Sequence, residues 1–135
     1  MEGKAFALVV HDRPEPCQAL KLVLRRLGVD SFSVRTQADA VLLLEQTHPH
    51  LIFTDVQLPD ATWTDLINVA DTATVPTCVV LVGTSNEPEA LQSAQNYGAF
   101  DFISPPFESE AISHLLSEAL ALVRVRRDQQ SRAVA

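Results

Sequence analysis

A single doubly wound α/β domain is the fold this chain predicts, and three observations predict it. Five short apolar runs alternate with segments of helical periodicity. That alternation is the pattern of a parallel sheet covered by helices on both faces. The 135 residues, 47% of them apolar, suit one core, and no linker, repeat or low-complexity segment interrupts them before residue 124.

The first run, AFALVV (5–10), is followed by Cys17, Leu20, Val23, Leu24 and Leu27 at helical spacing, with Gly28 as the C-cap. The second, SFSV (31–34), leads to a helix whose stripe is read as Ala38, Val41, Leu42 and Glu45, ending before His48 and His50. LIFT (51–54) is the third strand. A short helix over about 64–71 follows it, the least regular of the five because turn formers thin its apolar stripe. TCVVLV (77–82) precedes a helix through Ala90, Leu91, Ala94 and Gln95 that stops at Gly98. The last strand, AFDFIS (99–104), precedes a helix from about Ser109 with Ile112, Leu115, Leu116, Ala119, Leu120 and Val123 on one face.

Right-handed crossovers place the ligand crevice at the carboxyl ends of the strands. Those ends carry His11 and Asp12, Thr54 and Asp55, Gly83 and Thr84, and Ser104, Pro105 and Pro106.

Composition narrows the chemistry. Residues 1–123 carry 6 basic and 16 acidic side chains, a net −10, which argues against direct nucleic-acid binding by the domain. Residues 124–135 are net +3 and read as a solvated basic helix end or linker. No apolar run nears the roughly 18 residues that would span a bilayer, and the start MEGKAFALVV lacks a signal-peptide pattern, so a cytoplasmic protein without membrane contact is expected. Cys17 and Cys78 read as buried free thiols. Neither GxGxxG nor GxxxxGK[ST] nor GxSxG occurs, which disfavours dinucleotide redox chemistry, NTP hydrolysis and a serine-hydrolase elbow. Asp12 and Asp55 end neighbouring strands. Two readings of them stand: a pair sharing a hard divalent cation such as Mg²⁺, or two loop caps.

The segments ALVVHDRPEPCQALKLVL, PHLIFTDVQLPD, VVLVGTS and GAFDFISPPF together resemble the receiver domain of two-component response regulators, over roughly residues 4–123. The resemblance implies a flavodoxin-like (βα)5 fold with strand order 2-1-3-4-5. It also implies phosphorelay signalling without enzymatic turnover of its own. Asp55 matches the phospho-acceptor, Asp12 a metal-holding carboxylate, and Gln57 the residue whose backbone carbonyl completes the protein ligands. The implied partners are a histidine kinase or phosphotransfer protein, and a second copy paired through the face of the fourth helix, fifth strand and fifth helix.

Three positions depart from the family. His11 stands where a second acidic residue is usual, Gly83 where a Ser or Thr follows the fourth strand, and Pro105 where a lysine precedes the loop proline. Without the lysine's ammonium, phosphorylation is expected to be slow or absent and Mg²⁺ to bind weakly. His11 is either an imidazolium that neutralises the carboxylates or a neutral ring bonded to loop backbone. Thr84 either replaces the missing hydroxyl or starts the turn into the fourth helix. Phe102 aligns with the family's switch aromatic and also suits a plain core position, while Trp63 is either an exposed anchor or a plug over the third helix. His48, His50 and His114 read as ordinary histidines. The rival functions are a pseudo-receiver acting as a phosphorylation-independent interaction module, and a Mg²⁺-dependent phosphatase or hydrolase on the same fold.

Overall fold

The computed structural model describes residues 5–56, 58–83 and 88–134. Among the described residues ten elements alternate: β1 (Phe6–Val10), α1 (Cys17–Arg26), β2 (Asp30–Val34), α2 (Gln37–Thr47), β3 (Leu51–Asp55), α3 (Trp63–Asp71), β4 (Cys78–Val82), α4 (Pro88–Asn96), β5 (Asp101–Ile103) and α5 (Ser109–Val134). All four strand pairings are parallel and the order is β2-β1-β3-β4-β5, as the resemblance implies.

Period-2 geometry divides each central strand between two cores. Ala7 and Val9 of β1, Leu51 and Phe53 of β3, and Val80 and Val82 of β4 face α1 and α5, where they meet Cys17, Leu20, Leu24, Ile112, Leu116 and Ala119. Leu8, Val10, Ile52, Val79 and Leu81 face the opposite way, against Ala40, Leu44, Leu66, Ile67, Ala70 and Ala94. Both β3 and β4 are buried along their whole length, which explains their unbroken apolar sequences. β2 is one of the two edge strands. Its Phe32 is 57% exposed and rests edge-on against Phe6, with ring centroids 5.2 Å apart.

α2 turns a different face inward from the one the sequence suggests. Ala40 and Leu44 are buried and Leu42 is exposed. The run Leu42-Leu43-Leu44 offers apolar residues on three successive directions of the helix. Its packing against Leu8 and Val10 selects one of them. The amino end of α2 is well held: Thr36 accepts from the Asp39 amide at 3.1 Å, and Asp60 accepts from the amides of Gln37 (2.9 Å) and Ala38 (3.1 Å). Those backbone donors, Gln37 first, hold the Asp60 carboxyl below its usual range.

The basic tail is also not simply solvated. α5 continues unbroken to Val134, and Arg127 folds back beneath the sheet, donating to the carbonyls of Pro76 (2.9 Å), His48 (2.9 Å) and Pro49 (2.8 Å). Gln130 adds a bond to the Thr74 carbonyl at 2.6 Å. Peptide carbonyls at the amino ends of β3 and β4 need donors, and a guanidinium supplies several from one side chain. No helix among the described residues is long and apolar enough to cross a membrane.

His50, just before β3, accepts the Phe6 amide through Nδ1 at 3.3 Å. Burial first, and then the charges of Arg127 and Arg124, hold its pKa below the ordinary 6.5. As pH falls through 6.5 the unfolded chain takes up this proton before the folded one does. Its contribution is therefore full above that pH and declines until the lower folded value is reached. Thermal denaturation at about pH 7.5 and about pH 5.5 is expected to show a steeper fall in Tm for the wild type than for His50→Asn. Equal pH slopes would exclude His50 as the source.

Candidate phosphoryl-acceptor site

β1 and β3 are hydrogen-bonded neighbours with Val10 opposite Thr54, so the residues that follow and end them converge at the same edge of the sheet. Asp55 is the last residue of β3 and is only 1% exposed. A carboxylate so buried needs donors. They come from Arg13, whose Nη2 donates to Oδ1 at 3.0 Å and to Oδ2 at 3.1 Å while Nε donates to Oδ2 at 3.3 Å. The planar guanidinium thus grips both carboxylate oxygens.

Asp12 has a cation of its own. Arg35, directly after β2, donates to Asp12 Oδ1 from Nε (3.0 Å) and Nη2 (2.8 Å) on the exposed surface. Asp55 ends β3 and Asp12 lies two residues past the end of neighbouring β1, yet each is committed to a separate arginine.

His11 is buried at the end of β1. Its backbone amide donates to the Val34 carbonyl at 2.9 Å and its ring Nδ1 to the Arg13 carbonyl at 2.7 Å. Nδ1 therefore carries a hydrogen, and Nε2 is buried without a protein partner among the described residues. The ring tethers the backbone from which Arg13 reaches Asp55. A cleft of about 220 Å³ lined by Asp12, Arg13, Leu58 and Pro59 opens above this contact. Arg13 lines the cleft and Asp55 lies behind it.

On the other side of β3, Gly83 follows β4 and donates its amide to the Ile103 carbonyl at 2.9 Å. A Cβ placed on Gly83 would lie 2.4 Å from Cζ of Phe102. The Phe102 ring therefore fills the space in which a side chain at position 83 would begin. It packs with the core beneath α2, α3 and α4. Pro105 is exposed, and the Pro105–Pro106 peptide is cis. Trp63 opens α3 half-buried, its ring edge-on to Tyr97 with centroids 5.5 Å apart. It is neither a free anchor nor a full core plug. Gln57 and Thr84 lie outside the described residues.

Of the remaining candidates, His114 pairs with Glu118 at 2.9 Å along α5, and His48 closes α2 in a left-handed conformation. Both cysteines are buried. Burial first, then the charge of Asp55, pushes the Cys17 thiol up to about 12, which leaves it inert.

Arg13 and Arg35 are the residues contacting the two aspartates that strand-end reasoning misses. Counting only the acids at the crevice gives a site short of positive charge; the two loop arginines restore balance. The available signal was position alone, since Arg13 shares a loop with Asp12 and Arg35 immediately follows the strand beside β1.

This charge balance bears on metal binding. Among the described residues no group of three or more His, Cys, Asp or Glu side chains is placed to hold a metal ion. The two carboxylates present are each occupied by a guanidinium. A hard divalent cation wants several free oxygen donors. The described side chains, as arranged, do not fit one.

The fold agrees with what this chain is similar to. A family model for the response regulator receiver domain matches residues 7–117. The response regulator protein PilR of Pseudomonas aeruginosa is 30% identical over 116 residues, covering 86% of this chain and 26% of PilR. The nitrogen assimilation regulatory protein NtrX of Azorhizobium caulinodans is 25% identical over 90% of this chain and 27% of its own. The chain thus spans about a quarter of the length of these curated relatives. Among solved structures, NtrX from Brucella abortus superposes with a TM-score of 0.78 at 22% identity, over 96% of this chain and 29% of that one. A CheY-like receiver domain protein from Methanospirillum hungatei gives 0.73 at 20% identity, over 90% and 98%. Receiver domains are signalling modules that interact with histidine kinases or phosphotransfer proteins and generally bind Mg²⁺ at their phosphorylation site. With the family model covering most of its length, this chain belongs to the response regulator receiver domains of two-component systems.

Proposed function

We propose that this chain transmits a signal by accepting a phosphoryl group on Asp55 from a histidine kinase or phosphotransfer protein. One observation carries the reading: a buried carboxylate ends the central strand and is gripped at both oxygens by a cation that borders an open cleft. In the transfer, an Asp55 oxygen attacks the phosphorus of a phosphohistidine. The P–N bond breaks, its electron pair leaves with the imidazole nitrogen, which takes up a proton, and an acyl phosphate remains. Catalysis of this kind is mainly positioning and charge neutralisation. Arg13 is the neutralising group at hand, since Pro105 supplies none. In this reading Mg²⁺ is at most a weak ligand, because the carboxylates it would need already hold guanidinium groups. In this reading residues 1–123 are the receiver unit, and residues 124–134 belong to the continuation of its last helix.

The second reading is a receiver that works through contact alone. Its support is the covered Asp55 and the ring-filled space at Gly83, both of which impede phosphoryl entry. Pairing would then use the α4-β5-α5 face.

Intact-protein mass after incubation with a small phosphodonor decides between them. A hydroxylamine- and base-labile adduct of one phosphoryl group on wild type and none on Asp55→Asn is the expected result. No adduct, with an unchanged oligomeric state, moves the function to the second reading.

A further inference from the structure

We propose that Arg13 is the resident cation of this site, a gate that holds Asp55 closed and competes with divalent metal for its oxygens. The inference deepens the proposed function by naming what regulates the same carboxylate. It rests on that reading only in taking Asp55 as the reacting group.

The guanidinium uses both oxygens of Asp55, the same lone pairs a divalent ion would need. Burial makes the pair consequential: with Asp55 1% exposed, water competes poorly for the carboxylate. The backbone beneath Arg13 is held by the His11 ring, so the fork is aimed before anything binds. Its own side chain, however, is 54% exposed and borders the cleft. It can swing outward without disturbing the core, and Asp55 is uncovered only when it does.

Competition follows from the arithmetic of linked states. A ligand that needs the open form shows its intrinsic affinity reduced by the fraction of open molecules. If the fork is closed nine times in ten or more, Mg²⁺ binding is weakened about tenfold or more by Arg13 alone. Once Asp55 carries a phosphoryl group, the same fork suits the phosphoryl oxygens. Arg13 thereby takes up from the β1–α1 loop the pairing that Pro105 cannot make from the β5–α5 loop.

The test is a Mg²⁺ titration followed by amide NMR shifts at constant ionic strength. Wild type, Arg13→Ala, Asp55→Asn and the double variant form a cycle. Arg13→Ala is expected to tighten Mg²⁺ binding about tenfold or more in the wild-type background and to change it less than twofold when Asp55 is Asn. Equal affinity of wild type and Arg13→Ala overturns the proposal, as does an equal gain in both backgrounds, which would be general electrostatics. Should alanine fail to fold, Arg13→Gln keeps the stem without the charge and carries the same cycle. None of these outcomes depends on phosphoryl transfer. A wild type that takes no phosphoryl group therefore sinks the proposed function and leaves the titration to decide Arg13.

Discussion

Arg13→Ala is expected to destabilise the domain by about 2 kcal/mol, a fall in Tm of roughly 6–10 °C for a chain of this size. The cost arises at Asp55. Breaking a fully buried ion pair by removing one partner leaves an uncompensated charge and costs about 3–5 kcal/mol. Here only one partner is buried, and water can reach the other side of the pair, so the smaller figure applies. Two companions make the expectation specific. Arg35→Ala, at an exposed pair of similar geometry, is expected to cost less than about 1 kcal/mol. In an Asp55→Asn background the Arg13→Ala step should cost only a few tenths of a kcal/mol, because no charge is left stranded. Urea denaturation of wild type, Arg13→Ala, Arg35→Ala, Asp55→Asn and the Arg13→Ala/Asp55→Asn double variant measures all three values. Similar losses from Arg13→Ala and Arg35→Ala would mean that burial of Asp55 contributes nothing.

Gly83→Thr is the second large effect, about 2–3 kcal/mol of destabilisation from overpacking. The added Cβ would begin 2.4 Å from Phe102 Cζ and 3.1 Å from Cε2, well inside contact distance. Relief requires the ring to leave its place. The expected signs are altered Phe102 ring resonances and partial recovery of stability when Phe102→Ala is added, since the two positions share one space. A Gly83→Thr variant as stable as wild type, with unmoved ring resonances, would show that the strand ends yield freely. The pair also ties one departure from the family pattern, Gly83, to a position that keeps it, Phe102. A side chain at 83 and an inward ring at 102 exclude each other, and this chain has kept the ring.

Most of the architecture is legible in the sequence because a buried parallel sheet writes itself as apolar runs. β3 and β4, with no exposed residue, are the clearest instances. Orientation within an element is harder. In α2 the adjacent leucines satisfy more than one stripe, and only the sheet beneath decides between Leu42 and Leu44. The site divides in the same way. Asp12, Asp55 and His11 stand at strand ends, where topology alone gathers them. Arg13 and Arg35 reach their partners across turns by the length of their side chains, a matter that neither periodicity nor spacing records. Arg127 is the same case at the opposite end of the sheet, where its charge looks ready for solvent until the carbonyls of His48, Pro49 and Pro76 are found in front of it.

That last contact has a mechanical meaning. A helix rising about 1.5 Å per residue stands roughly 39 Å tall over the 26 residues of α5, and bracing at one end alone would let its far half sway. Arg127 and Gln130 pin that far half to two loops that are themselves rooted in β3 and β4. The stretch of α5 up to Gln130 thereby keeps the direction that the amino ends of β3 and β4 give it.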